Sequence, residues 1–152
     1  MAIRTIKYFI FHQEGNLLEI LEARKSLEGT IAALVAERRN DEDLQAMEEA
    51  LEKMEVNLGN PEKYAVYELE FHKAIVDAAR NSVIADLMNK IYKMMVAVRD
   101  NLYRYGSERS SYLSQDYEYH KKIFQCVKTG VCQMAAKTMI DHLIPLEQRL
   151  RG

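Results

Sequence analysis

Three of the four histidines in the chain, His72, His120 and His142, fall in phase with apolar residues at helical spacing, whereas His12 lies in the N-terminal segment. Imidazoles that face a helical core need partners for their nitrogens, because burying an unsatisfied polar group costs free energy. Glu68 precedes His72 by four residues, so both side chains share one helix face. One carboxylate and three imidazoles form a donor set that divalent transition metals take. The pattern predicts a metal site, although hydrogen-bonded core histidines would show the same spacing.

A second group of inward-facing residues offers hydrogen-bond donors to an anionic ligand. Arg24 shares a face of the first predicted helix with its leucines, and a guanidinium can grip a carboxylate with two parallel hydrogen bonds. The alternative for Arg24 is an ion pair with a structural carboxylate such as Glu28 or Glu68. Tyrosines at helical spacing are also common core residues. The residues predicted to bind an effector are Arg24, Arg99, Tyr92 and Tyr117.

The bulk composition is that of one globular domain of 152 residues with a net charge of -2. This charge gives the chain no basic footprint for nucleic acid. No apolar run approaches the length of about 20 residues that spans a bilayer, so we expect a cytoplasmic protein without membrane contact. Cys126 and Cys132 lack metal-binding or redox spacing. We expect residues 1–15 to be a linker remnant or extension, and residues 16–152 to be the helical domain.

Helical periodicity extends through the chain, and glycine, asparagine and proline fall at its breaks. Short connections favour antiparallel neighbours. The sequence therefore predicts an all-α fold, an antiparallel bundle of six or seven helices. Pro145 lies inside the last helical pattern and should kink it, because proline lacks an amide donor and crowds the preceding turn. The predicted helices span about 16–39, 41–58, 61–80, 82–105, 110–128 and 131–150.

Several short motifs occur in a specific order along residues 17–146. They are an Arg-x-x-Leu-Glu pattern within 21–28, an acidic residue followed by Phe-His within 68–72, Asn81, a His-x-x-Ile pattern within 119–123, and His-Leu within 141–143. Together they resemble the effector-binding C-terminal domain, called the FCD domain, of the FadR-type branch of the GntR family of bacterial transcription regulators.

The resemblance implies a divalent metal held inside the bundle, next to an effector pocket, by one acidic residue and three histidines. The implied ligands are Glu68, His72, His120 and His142. Zinc comes first among the compatible metals, and nickel and manganese also suit this donor set. Many members of the family have Asp at the first of these positions. The longer Glu68 could still reach the metal, or it could swing away and leave a three-histidine site.

The same resemblance implies a sensor domain that binds a small carboxylate effector, forms a homodimer and contacts DNA only through a winged-helix domain absent from this chain. We expect no enzymatic activity, because no general base stands apart from the metal ligands. Two alternatives remain open at this point, namely a helical-bundle metal-dependent hydrolase and a metal-free dimerisation module. Acyl-CoA binding occurs in members of this branch without the metal, and the inward histidines argue against it here.

Overall fold

The computed structural model describes the backbone of residues 14–102 and 109–152, and the side chains of residues 17–96 and 111–152. Within these ranges the chain is all helical and contains no strand, which confirms the predicted fold class. The helices are α1 (Glu14–Arg38), α2 (Asp41–Val56), α3 (Pro61–Ala78), α4 (Ser82–Leu102), α5 (Arg109–Thr129), α6 (Cys132–Asp141) and α7 (Ile144–Arg151).

Asparagines begin three of these helices by capping backbone amides that lack an intrahelical partner. Asn40 and Asp43 form a reciprocal capping box at α2, with both hydrogen bonds at 2.9 Å. Asn60 accepts a bond from the Lys63 amide at 3.1 Å, and Pro61 follows it in the first turn of α3. Asn81 caps α4 in the same way. The predicted breaks at these positions are therefore confirmed.

The prediction of one kinked helix over 131–150 is wrong, because this part of the chain forms two helices. α6 ends at Asp141, and α7 begins at Ile144. The proline ring of Pro145 clashes with the carbonyl four positions earlier, which is the carbonyl of Asp141. The break places His142 at the C-terminal cap of α6 instead of mid-helix.

Helix α1 lies at the centre of the bundle and contacts α3, α4, α5, α6 and α7. It packs tightly against α6 at Gly29, where an added Cβ would lie 2.9 Å from the Ile140 side chain. α1 also carries two buried charged residues, Arg24 and Glu28, on its core face. This central helix therefore brings polar groups into contact with the side chains of its neighbours.

Some sequence-based predictions lie outside the described residues. They concern the side chain of Arg99, the N-terminal segment 1–13 and the end of the fourth helix at 103–105. None of the helices in the described part of the chain combines the length and the apolar character that a membrane span requires.

Candidate metal and effector site

Three imidazole rings meet in the core of the bundle, as the sequence predicted. His72 comes from α3, His120 from α5 and His142 from the end of α6, and each is at most 4% exposed. Every pair of ring centroids is 5.1 Å apart. The packing of three helices thus gathers side chains that are far apart in sequence into one triangle.

Each of the three rings turns its Nδ1 atom outward to an oxygen. His72 Nδ1 lies 3.3 Å from Glu28 Oε1. His120 Nδ1 lies 2.7 Å from the Asp116 carbonyl oxygen and 3.3 Å from Asp116 Oδ2. His142 Nδ1 contacts the carbonyl oxygen of Met139. The carbonyl oxygens bonded to His120 and His142 favour a proton on Nδ1 of those two rings. The charged Glu28 carboxylate favours a proton on His72 Nδ1 by its proximity, although that nitrogen makes no hydrogen bond among the described residues. The Nε2 lone pairs are then available on the inner side.

The Nε2 atoms of His72 and His120 are close enough to share a cation. Those of His72 and His120 are 3.1 Å apart, and one ligand nitrogen from each of the three histidines can be chosen within 4.8 Å of the others. Nitrogens that bind one zinc ion at about 2.1 Å each can be at most about 4.2 Å apart, so the 3.1 Å pair fits. His142 Nε2 is buried and has no hydrogen-bond partner among the described residues. An orphaned buried acceptor beside two others is a polar site that a cation would satisfy.

The fourth predicted ligand, Glu68, is buried beside the triangle. Its Oε1 atom lies 3.8 Å from His120 Nε2. Glu68, Asp116 and His120 form a second group whose donor atoms could hold a metal, and this group shares His120 with the triangle. The structure therefore brings the three predicted histidine ligands together and places Glu68 beside His120, in the second group rather than in the triangle.

Arg24 is buried and pairs with Glu28, the partner that the alternative interpretation named. Its Nε and Nη2 atoms donate to the two carboxylate oxygens of Glu28 at 3.1 and 3.3 Å. The hydroxyl of Tyr92 donates to Glu28 Oε1 at 2.5 Å. Glu28 thus connects two predicted effector-binding residues, Arg24 and Tyr92, with His72 of the metal triangle.

Burial and mutual charges shift the pKa values of these groups. Burial alone would raise the pKa of Glu28, but Arg24 and then His72 outweigh it and hold that pKa well below its usual value. Burial lowers the pKa of His72, and Glu28 only partly opposes this effect. Burial and the two neighbouring imidazoles lower the pKa of His142 well below its usual value. The carboxylate is therefore charged, while His72 and His142 favour the neutral form that binds metals.

Tyr117, the remaining predicted effector residue whose side chain is described, lies elsewhere. Burial, followed by the charge and hydrogen bond of Glu55, raises its pKa to about 12. Glu55 belongs to α2, so the Tyr117 hydroxyl is directed to the α2–α5 interface rather than to the Arg24–Glu28 pair. Its predicted contact with the effector has no support in this position.

A groove of about 460 Å³ lies between α3 and α4, and Tyr92 forms part of its lining together with exposed Lys73 and Lys93. Because the Tyr92 hydroxyl reaches Glu28, this ring separates the groove from the buried pair. A larger cleft of about 600 Å³ lies between α5 and α7, but none of the residues predicted to bind metal or effector lines it. The groove beside Tyr92 is therefore a surface feature next to the candidate site in the described part of the chain.

A family model places the chain among known proteins. The model of the FCD domain matches residues 19–144, which include all four predicted metal ligands. The chain belongs to the FCD domain family. This membership confirms the resemblance seen in the motifs.

Curated relatives of this FCD domain carry the names of transcription regulators. It is 30% identical over 141 residues to the HTH-type transcriptional regulator LutR of Bacillus subtilis, covering 92% of this chain and 64% of that protein. It is 29% identical to the galactonate operon transcriptional repressor of Escherichia coli, and the match covers 78% of this chain and 52% of that protein. It is 28% identical to the Uxu operon transcriptional regulator of Escherichia coli, and the match covers 90% of this chain and 54% of that protein. The chain spans about half to two-thirds of the length of these relatives, and each of the three carries the name of a transcription regulator.

A solved structure shows the same fold. Streptococcus agalactiae GntR superposes with a TM-score of 0.73 at 23% sequence identity, covering 90% of this FCD domain and 60% of that chain. The similarity extends over nearly the whole bundle. The arrangement of helices is therefore shared by a GntR protein.

Two acidic residues at the FCD site were missed as site residues by the sequence analysis. Glu28 was considered only as a structural partner of Arg24, and Asp116 was not considered. Both had a signal, because Glu28 follows Arg24 by four residues on the core face, and Asp116 precedes His120 by four. Leu27, the apolar neighbour of Glu28 in sequence, is only partly buried, whereas Glu28 is 1% exposed.

Proposed function

We propose that this FCD domain is a sensor that binds a small carboxylate effector beside a divalent transition metal. The residues that would hold the metal are His72, His120, His142 and Glu68. The observation that carries the proposal is the convergence of three buried imidazoles whose Nδ1 atoms all face outward acceptors. Such a metal would supply a Lewis-acidic centre that accepts an oxygen of the effector.

The effector side of the site is built from the residues next to His72. The Arg24 guanidinium is a buried cation whose carboxylate partner, Glu28, already shows how this group grips a carboxylate. Tyr92 contributes a hydroxyl at the same point. Lys73 and Lys93 on the outer groove add positive charge, which raises the local concentration of an anion near the site.

The chemical class of the effector is a small organic acid. A buried cation, a hydroxyl and a metal position select an oxygen-rich anion over an apolar ligand. The name of one relative refers to an operon for galactonate, which is a sugar acid. We therefore include D-galactonate with lactate-like and dicarboxylate compounds in an effector screen.

In the full regulator, DNA binding would belong to a separate domain, and the FCD domain would pass on the effector signal through a homodimer. The net charge of -2 agrees with that division of labour, since a phosphate backbone attracts a protein with an excess of positive charge. The effector must then bind two states of the dimer with different affinity.

Elemental analysis of the purified protein tests the proposal most directly. We expect about one equivalent of transition metal in the parent and none in the His72→Ala/His120→Ala double variant. A second variant, His142→Gln, keeps nearly the same side-chain volume and should also lose the metal. If the double variant fails to fold, this single variant still tests whether the histidines bind the metal. Helical content measured by circular dichroism establishes that each variant is folded.

The matched control is His12→Ala, which removes the remaining histidine of the chain, outside the described residues. It should keep the full metal content. A parent protein that takes up no metal even after reconstitution would reduce the three histidines to core residues and leave a metal-free interaction module.

A further inference from the structure

Glu28 has more partners than a simple ion pair with Arg24 requires. It is 1% exposed, and both of its carboxylate oxygens are engaged. Oε2 accepts the Arg24 Nε bond at 3.1 Å, while Oε1 accepts the Tyr92 hydroxyl at 2.5 Å and lies 3.3 Å from His72 Nδ1. A buried carboxylate is costly to desolvate. Two hydrogen-bond donors, Arg24 and Tyr92, hold it in place, and the His72 ring lies beside it, with no hydrogen bond at Nδ1 to any described residue.

The position of Oε1 decides how the His72 ring is used. An acceptor at Nδ1 keeps the proton on that nitrogen and leaves the Nε2 lone pair free. Nε2 is the atom that lies 3.1 Å from His120 Nε2. Without the acceptor, the neutral ring would be free to carry its proton on Nε2, where it would point into the triangle and block that nitrogen as a ligand.

We propose that Glu28 is a positioning residue that fixes the tautomer and orientation of His72 and ties this ring to Arg24. The inference deepens the proposed metal site and rests on it for its metal-affinity readout. Carboxylates that accept a bond from a metal-binding histidine orient the ring and make it a stronger ligand. The pair of Arg24 and Glu28 on α1 thereby supports the metal centre through His72, the ligand that α3 contributes.

The test uses Glu28→Gln, which keeps the size of the side chain but removes its charge. In the metal-free protein, nitrogen-detected NMR of the imidazoles should show His72 protonated on Nδ1 in the parent and a loss of that preference in the variant. A competition titration with Zn²⁺ and a chromogenic chelator should show affinity about 10- to 100-fold weaker in the variant. A role confined to packing would move neither readout.

Two further variants keep the result interpretable. Glu28→Asp retains the charge beside Arg24 but is too short to span all three partners, so it should fold and still weaken Zn²⁺ binding. Glu147→Gln is the matched control, because it removes an ion-paired carboxylate that contacts α1 through Lys25 at the surface. This control should leave the His72 tautomer and the Zn²⁺ affinity unchanged.

The two proposals fail separately. A parent protein that binds no Zn²⁺ would overturn the proposed metal site, whereas the NMR measurement in metal-free protein would still test the role of Glu28. A folded Glu28→Gln variant with parental Zn²⁺ affinity and an unchanged His72 tautomer would overturn the inference while leaving the metal site intact.

Discussion

The Nε2 atoms of His72 and His120 lie 3.1 Å apart in the buried core, although 48 positions separate the two residues in sequence. An oxygen lies beside Nδ1 in both rings, and a proton on each Nδ1 would turn two Nε2 lone pairs towards each other across this distance. Lone pairs in that arrangement repel unless a proton or a cation lies between them. This relationship is the physical basis of the first prediction.

We predict that Zn²⁺ stabilises the FCD domain against heat. Binding at 100 times the dissociation constant adds about 2.7 kcal/mol to the free energy of unfolding. For a domain of this size, that corresponds to a rise in melting temperature of roughly 5 to 10 °C. Differential scanning calorimetry measures the shift, and EDTA should reverse it. An equal shift in the His142→Gln variant would show that Zn²⁺ acts elsewhere.

We predict that the metal-free protein loses stability in mild acid. Burial lowers the pKa values of His72 and His142 in the folded state, so below about pH 6.5 the unfolded chain binds protons that the folded chain does not. The free energy of unfolding should therefore fall as pH decreases below 6.5, by at most about 1.4 kcal/mol per pH unit for each histidine. Glu28, whose folded pKa is lowered, adds a further loss below about pH 4.5.

Urea titrations between pH 7.5 and 5 in the presence of EDTA measure this slope. His142→Gln removes one of the two groups and should flatten it. A free energy of unfolding that stays constant over that range would contradict the assignment of neutral buried histidines.

We predict that Asp116→Asn weakens metal binding about 10- to 100-fold, the range found for residues that support metal ligands. Asp116 Oδ2 accepts the Tyr64 hydroxyl at 2.7 Å and lies 3.3 Å from His120 Nδ1. The substitution keeps the shape of the side chain but removes its charge beside the ring. Isothermal titration with Zn²⁺ measures the affinity. Tyr64→Phe is the control, and it should lower stability by about 1 kcal/mol with a smaller effect on metal.

We predict that Arg24→Met lowers the free energy of unfolding by about 3 to 5 kcal/mol, because it leaves the Glu28 carboxylate buried without its cation. Adding Glu28→Gln should recover part of this loss, since the double variant buries no uncompensated charge. A double-mutant cycle by urea unfolding gives the coupling energy. Additive effects of the two substitutions would show that the pair observed at 3.1 Å contributes no interaction of its own.

We predict that Gly29→Ala destabilises the bundle by about 1 kcal/mol in spite of the better helix propensity of alanine. Its Cβ would lie 2.9 Å from both Cγ1 and Cδ1 of Ile140, so the side chain on α6 must shift. The Ile140→Ala background removes those two atoms. In that background Gly29→Ala should become neutral or stabilising, and a destabilisation as large as in the parent would rule out this contact as the cause.

The helices were largely predictable because their signals are local. Asn40, Asn60 and Asn81 each cap a helix through backbone amides only two or three residues away. Pro145 also acts locally, but its consequence was underestimated: the chain breaks at the carbonyl that the ring would meet, and His142 becomes a cap residue. Local chemistry therefore predicts the helices, and the prediction fails where a single residue decides whether a helix bends or ends.

The sequence alone determined that three histidines and one glutamate face the core, because helical periodicity fixes which side of a helix a residue occupies. It did not determine their partners. That His72 meets Glu28 and that Tyr92 reaches the same carboxylate depend on how α1 packs against α3 and α4. That Tyr117 lies beside Glu55 depends on how α5 packs against α2. Only the tertiary structure decides such pairs, since the distances between helices are set by the packing of the whole core rather than by the spacing along any one of them.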